Sequence, residues 1–149
     1  MAPYDALQFA IGQYVTVFAN LETVIATHVS YLLELDHKLV FFMLKDILVS
    51  QKIKLVRRAA VQKFGEDKCS RYRAVLNKID KATEFRNTLV HGAFTNDDER
   101  GYLLGKLGHS LTDMDKGLEP IGYARVQEEA RTVDALAAEL IAALRNLQT

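Results

Sequence analysis

The sequence predicts an all-α fold: an up-and-down bundle of four to five helices, with a loop or small hairpin before the last helix. Three observations lead there. Prolines stand only at Pro3 and Pro120, so more than a hundred residues between them are free of the strongest helix breaker. Apolar residues recur at spacings of three and four in several separate stretches. Turn-forming residues gather instead in 92–122, which holds most of the glycines and the cluster Thr95-Asn96-Asp97-Asp98-Glu99-Arg100-Gly101.

Each element follows in order. Leu7, Ile11, Tyr14, Phe18, Leu21, Ile25, His28 and Leu32 keep a helical period over about seven turns, which predicts a first helix over 5–35. Its other faces carry Thr16, Asn20, Thr23, Thr27 and Ser30 and almost no charge. Water covers such faces poorly, so a central position or a subunit interface is expected. Only Glu22 is charged between Ala6 and Leu33, yet polar residues interrupt the run before it reaches the roughly 20 apolar residues of a membrane span. No membrane partner is expected.

Leu39–Leu44 reads as a strand or a short helix. Ser50 then offers an N-cap for a basic helix that ends at Phe64-Gly65, with Ile53, Val56, Ala60 and Phe64 on its buried stripe. A further long helix is predicted from Asp67 to Val90, stopped by Gly92 in a left-handed C-terminal position. Tyr102-Leu103-Leu104 after the turn cluster suggests the small hairpin. The last helix, 123–147, repeats at Val126, Ala130, Val133, Ala137, Leu140, Leu144 and Leu147.

The 149 residues suffice for one domain, 1–149, burying about two-thirds of its unfolded surface. A single cysteine, Cys69, excludes an intrachain disulfide framework and a multi-cysteine zinc site. The N-terminus lacks a basic leader and a cleavage signature, so the cytoplasm is the expected compartment. Lys+Arg and Asp+Glu both number 19, but charge is sorted along the chain. Residues 45–86 carry twelve Lys/Arg against five Asp/Glu, and the rest carries seven against fourteen. A +7 block is the footprint that polyanion binding leaves, and equally what a solvated helix face produces. If it binds RNA, the surface is expected on the two central basic helices, with the acidic final helix facing away.

Familiar motifs fail. Asn96–Leu107 has Arg100 at the fifth position of a calcium loop and Leu107 where a bidentate Glu is required. Gly101, Gly105 and Gly108 lack phosphate-loop spacing. His28, His37, His91 and His109 form no i,i+4 metal pair with a neighbouring carboxylate. His109 beside Ser110 has no positioned acid or oxyanion element.

One site stands out. On a wheel at about 100° per residue with Arg86 at zero, Tyr72, Val75, Leu76, Ile79, Ala82, Leu89 and Val90 fall between about −60° and +80°. A guanidinium therefore lies on the apolar face, where leaving it unpaired costs several kcal/mol. It must face a partner, a cleft or the open end of the bundle, or snorkel to water. Asp80, Glu84, Asn87 and His91 form a polar stripe beside it, with Asn87 one turn from His91 and able to touch it. A histidine, an always-charged bidentate oxygen binder and an amide suit a phosphoryl-centred site. A histidine at this position also serves as a helix C-terminal capping residue.

The string Arg86-Asn87-Thr88-Leu89-Val90-His91-Gly92 resembles the signature of the HEPN domain family, Arg followed by a polar residue, with four to six residues intervening before His. The family places it at the C-terminal end of the third long helix of an up-and-down bundle. The likeness covers the whole chain in architecture and residues 86–92 in specific sequence. It implies a homodimeric endoribonuclease that needs no cofactor or metal, with RNA as substrate and the two motifs meeting across the interface. Carried over, His91 is the general acid or base, Arg86 stabilises the phosphorane, and Asn87 orients the histidine or substrate. A toxin or defence role is implied, with an antitoxin or other inhibitor protein as a possible partner. In one subgroup a Tyr follows two positions after the His; Ala93 stands there, which speaks against an antitoxin that adenylylates that tyrosine. Two other readings stay open: a non-catalytic HEPN-like nucleotide- or protein-binding or dimerisation module, and a purely structural bundle in which Arg86 pairs with a carboxylate such as Glu22.

Overall fold

Leu7, Tyr14, Phe18, Leu21, Ile25 and Leu32 share one face of a helix, and that face is buried to 5% exposure or less. The other elements assemble against it. In the computed structural model, which describes residues 3–105 and 117–149, the order is α1 (Pro3–Leu33), α2 (His37–Leu44), α3 (Val49–Phe64), α4 (Ser70–His91), β1 (Ala93–Asp97), β2 (Gly101–Gly105), β3 (Glu119–Pro120) and α5 (Tyr123–Gln148). Gly108, His109 and Ser110, weighed above, lie outside the described residues, as does Leu107.

The helical bundle is as the sequence predicts. α5 lies along α1 and also packs on α4, while α3 covers another flank of α1. Val126, Val133, Leu136 and Leu140 of α5 share one core with Ile53, Val56 and Ala60 of α3 and Val75, Leu76 and Ile79 of α4. Each of these Val, Leu and Ile side chains contributes about 1.5–3 kcal/mol when fully buried. The ambiguous run after Asp36 is helical, because the Asp36 carboxylate caps it, accepting from the Leu39 N–H at 2.9 Å. α2 buries only Val40 and Leu44 and leaves Phe42 and Met43 exposed.

α1 is less enclosed than its composition suggests. The stretch Tyr4–Leu33 is long and apolar enough to cross a membrane by length and composition; its apolar 18-residue window has mean hydropathy 1.3 and is 33% buried. Its outer face carries Thr16, Thr23 and Thr27, whose hydroxyls donate to the carbonyls four residues earlier. The helix thus hides its own polar groups and leaves a face with almost no charge uncovered by this chain.

Three boundary expectations are corrected. Ser50 is not a cap: α3 begins at Val49 after Leu48, and no side chain caps it. α4 begins at Ser70 rather than Asp67, because 66–69 form a turn in which Cys69 N–H donates to Glu66 O at 3.1 Å. Gly92 is not left-handed; its φ is −76°. Close approach is what requires it, since a Cβ there meets Thr88 O at 2.2 Å and Gly105 O at 2.7 Å. The chain therefore leaves α4 straight into β1 against the end of β2.

The expected hairpin is present and gains a third strand, in the order β1-β2-β3, all antiparallel. Phe94 lies opposite Leu104 and Asn96 opposite Tyr102. Asp97 closes the turn by accepting from Glu99 and Arg100 N–H at 3.0 and 2.9 Å, and Gly101 takes the positive φ of +73° that ends it.

Two polar contacts sit inside this frame. Lys52 Nζ donates to Glu22 Oε2 at 2.8 Å, joining α3 to α1, with side chains 9% and 24% exposed. Glu22→Ala is expected to destabilise by about 2 kcal/mol, below the loss for a fully buried pair because Glu22 keeps some water. Chemical denaturation measures this, and joint replacement of Glu22 and Lys52 by apolar residues should recover most of it. His28 Nδ1 and Tyr72 OH lie 2.9 Å apart in the core, and burial pulls the imidazole pKa down from 6.5 to about 4. The unfolded chain binds that proton more readily, so stability is full above about pH 6.5 and falls as pH drops towards 4, by up to about 3 kcal/mol. Urea midpoints at pH 7 and pH 5 should show this slope in the wild type and a smaller one in His28→Gln.

Candidate functional site

Arg86 lies on the face of α4 that turns towards α1, six residues before the helix gives way to Gly92. Its guanidinium carbon stands 5.8 Å from the centre of the Phe18 ring, and its Nη1 donates to Asn87 Oδ1 at 3.2 Å. Among the described residues no carboxylate pairs with it. Glu22, the example of a structural partner considered above, is engaged by Lys52 instead. Thr83 and Leu89 on this face are buried, whereas Val90 is 43% exposed. Val90 was expected in the apolar stripe; its exposure shows that the covering elements stop short of the helix end. Arg86 sits at that margin, half-buried, with an aromatic ring beneath and an open side above.

Asn87 and His91 are exposed, as are Asp80 and Glu84. The polar stripe is therefore real, but its internal contacts differ from those expected. Asn87 turns its carbonyl oxygen to Arg86 rather than to His91. The imidazole of His91 has no hydrogen-bond partner among the described residues, and the capping bond at this helix end comes from Gly92 N–H to Thr88 O at 2.8 Å. Arg86 and Asn87 are joined, and His91 stands one turn further on, free in solvent.

The floor beneath Arg86 was not anticipated. Tyr14 is fully buried, with its ring edge-on to Phe85 at 5.4 Å, and its hydroxyl has no hydrogen-bond partner among the described residues. Burial pushes that phenol well above its ordinary pKa, the half-buried Glu129 of α5 adds to the rise, and Arg86 opposes it. Arg125 lies over the Phe85 ring at 5.7 Å and pairs with Glu119 at 3.1 Å. Two guanidinium groups thus rest on neighbouring aromatic rings, Phe18 and Phe85. The heptad-like spacing of Tyr14 and Phe18 marked them only as core; their pairing with Arg86 depends on how α1 and α4 cross, which no local pattern encodes.

The basic block is partly neutralised. Lys45, Lys52, Lys63, Arg73 and Lys78 pair with Asp46, Glu22, Glu34, Glu66 and Glu139, and Arg57 donates to Asn77 at 2.8 Å. Lys54, Arg58, Lys68, Arg71, Lys81 and Arg86 keep no carboxylate partner among the described residues. The acidic final helix does not face away: it packs directly on α4, where Glu139 meets Lys78 at 2.9 Å. Surface ion pairs of this kind contribute little to stability, but they do reduce the positive field.

Comparison with protein-family models, with curated proteins and with solved structures returns no match to this chain.

Tyr14→Phe separates strain from support at this site. Deleting a buried hydroxyl that bonds to nothing removes a desolvation cost without leaving a partner orphaned. The variant should match the wild type in thermal stability or exceed it by up to about 1 kcal/mol; a clear loss identifies a hydrogen bond that the hydroxyl makes in solution.

Proposed function

We propose that this chain is a homodimeric endoribonuclease of the HEPN type, acting in a toxin–antitoxin or defence system, that cleaves RNA without a metal. The observation that carries the reading is Arg86. It is a half-buried guanidinium without a carboxylate partner among the described residues, held by Asn87 and by the Phe18 ring, on the same helix end as a free His91. A cation kept in that state is set up for an external anion, and a phosphodiester satisfies both it and the histidine.

In this reading His91 takes the proton from a ribose 2′-OH, or gives one to the departing 5′ oxygen. The 2′ oxygen forms a bond to phosphorus while the P–O5′ bond breaks, leaving a 2′,3′-cyclic phosphate and a 5′-hydroxyl. Arg86 offsets the extra negative charge on the phosphorane, and Asn87 fixes the guanidinium. The second copy docks through the outer face of α1 beyond Gly12, where Val15 and Ala19 are exposed and no charge lies between Asp5 and Glu22. That contact brings two motifs into one cleft and supplies a base and an acid from different subunits. An inhibitor protein covering the cleft is the natural form of control for such an enzyme.

Incubating the protein with mixed-sequence RNA in EDTA tests the proposal. Cleavage with cyclic phosphate ends is expected, falling at least about a hundredfold in Arg86→Ala and in His91→Ala. Ala19→Arg on the outer face of α1 should halve the mass seen in sedimentation and abolish cleavage. No cleavage by the wild type, or cleavage indifferent to both motif variants, removes the nuclease reading. Salt-sensitive RNA binding with intact product assigns a binding module instead.

A further inference from the structure

Between the first turns of α1 and the outer end of the hairpin lies a groove of about 650 Å³. Its walls are the rings of Tyr4, Tyr102 and Phe94, with Tyr4 and Tyr102 tilted against each other at a centroid distance of 5.6 Å. Tyr4 and Phe94 are 50% and 45% exposed. The polar groups at the groove are the carboxamides of Gln8 and Asn96 and the hydroxyls of Thr95, Tyr4 and Tyr102; among the described residues no formally charged side chain lines it. Gly12 completes the wall on the α1 side.

Gly12 is the unusual member. It lies inside a long helix, where glycine costs about 0.8–1.0 kcal/mol relative to alanine. Nothing within 4 Å of its position excludes a Cβ, and its φ is not positive. Neither backbone conformation nor packing among the described residues accounts for it. A glycine in such a place lets something outside the chain approach the helix backbone closely.

We infer that this groove holds one unpaired nucleobase of the RNA, next to the phosphate at Arg86 and His91; the inference rests on the nuclease reading for that phosphate's position. Three features point to a base. Aromatic walls accept a flat ring by stacking, and they do so for any base. Two carboxamides each offer a donor and an acceptor to a base edge. A groove without charge does not compete for the phosphate, which goes to the cation outside it. The placement agrees along both chain segments. Phe94 follows His91 by three residues, and Gly12 stands about 9 Å of helix rise before Phe18, the ring under Arg86, on the outer face of the same helix. Because the base must be unstacked to enter, the groove favours single-stranded RNA over duplex.

The test uses the full chain carrying His91→Ala, so that RNA is bound without being consumed. The protein has six tyrosines and no tryptophan, so tyrosine fluorescence reports stacking at Tyr4 and Tyr102. A short single-stranded RNA should quench it, with duplex and abasic strands of the same length binding more weakly. Gly12→Leu fills the groove at a position with open space and better helix propensity, and Phe94→Ala removes an exposed ring. Each should weaken single-strand binding by about tenfold or more while leaving the melting temperature unchanged or raised. Equal binding of the abasic strand, or unchanged affinity in both variants, overturns the inference. So does a change of oligomeric state in Gly12→Leu with RNA affinity intact, which assigns the groove to a second copy of the chain. Loss of single-strand binding in the variants, with no cleavage by the parent protein, keeps the groove and discards the nuclease. Normal cleavage with insensitive binding does the reverse.

Discussion

Burial of one face of α1 is the constraint on which everything else in the fold depends. Tyr14, Phe18, Leu21 and Ile25 remove a continuous apolar stripe from water, and α3, α4 and α5 take their positions by covering it. The Glu22–Lys52 pair then fixes α3 against α1 at a defined height, because a charge half inside the protein has few places where it can be satisfied. Once α1 and α4 cross, Arg86 has no freedom to be elsewhere. It must lie on Phe18, at the level where the core ends.

Arg86 is held by an aromatic ring rather than by an acid, whereas Arg125 has both a ring and the Glu119 carboxylate. Arg86 rests on Phe18 and Arg125 on Phe85, while the carboxylates of the chain are largely used elsewhere, on lysines of α3 and α4. A ring face offsets part of the cost of holding a guanidinium out of water and leaves its N–H fork available. A carboxylate occupies the fork and cancels the charge. The pattern is economical for any surface that must receive a phosphate, and Tyr14, buried beneath with an unsatisfied hydroxyl, belongs to the same layer.

How much was legible beforehand divides by range. Helix periodicity located α1, α3, α4 and α5 within a few residues, since apolar spacing and the burial it produces are the same fact seen twice. The hairpin was visible in Asp97 and Gly101, whose turn chemistry is local. Ser50 misled because serine is a good cap only where the backbone turns, and the backbone turns two residues earlier at Leu48. Gly92 misled in another way: the glycine was rightly singled out, but its cause is the Gly105 carbonyl pressed against it from thirteen residues away. At the site, the surfacing of Arg86 was among the alternatives that the helical wheel allowed. Its partners were not, because Phe18 and Tyr14 come from a helix some seventy residues distant, and periodicity says which face is buried but never against what.

The contact at Gly92 has a mechanical consequence. With the Gly105 carbonyl closer to the Gly92 backbone than a methyl group permits, the joint between α4 and the hairpin has no slack in which to pivot. A push on the outer strands is therefore carried into the last helical turn instead of being absorbed at a hinge. His91 and the strand bearing Phe94 move as one lever, so whatever leans on the hairpin also sets the reach of the imidazole.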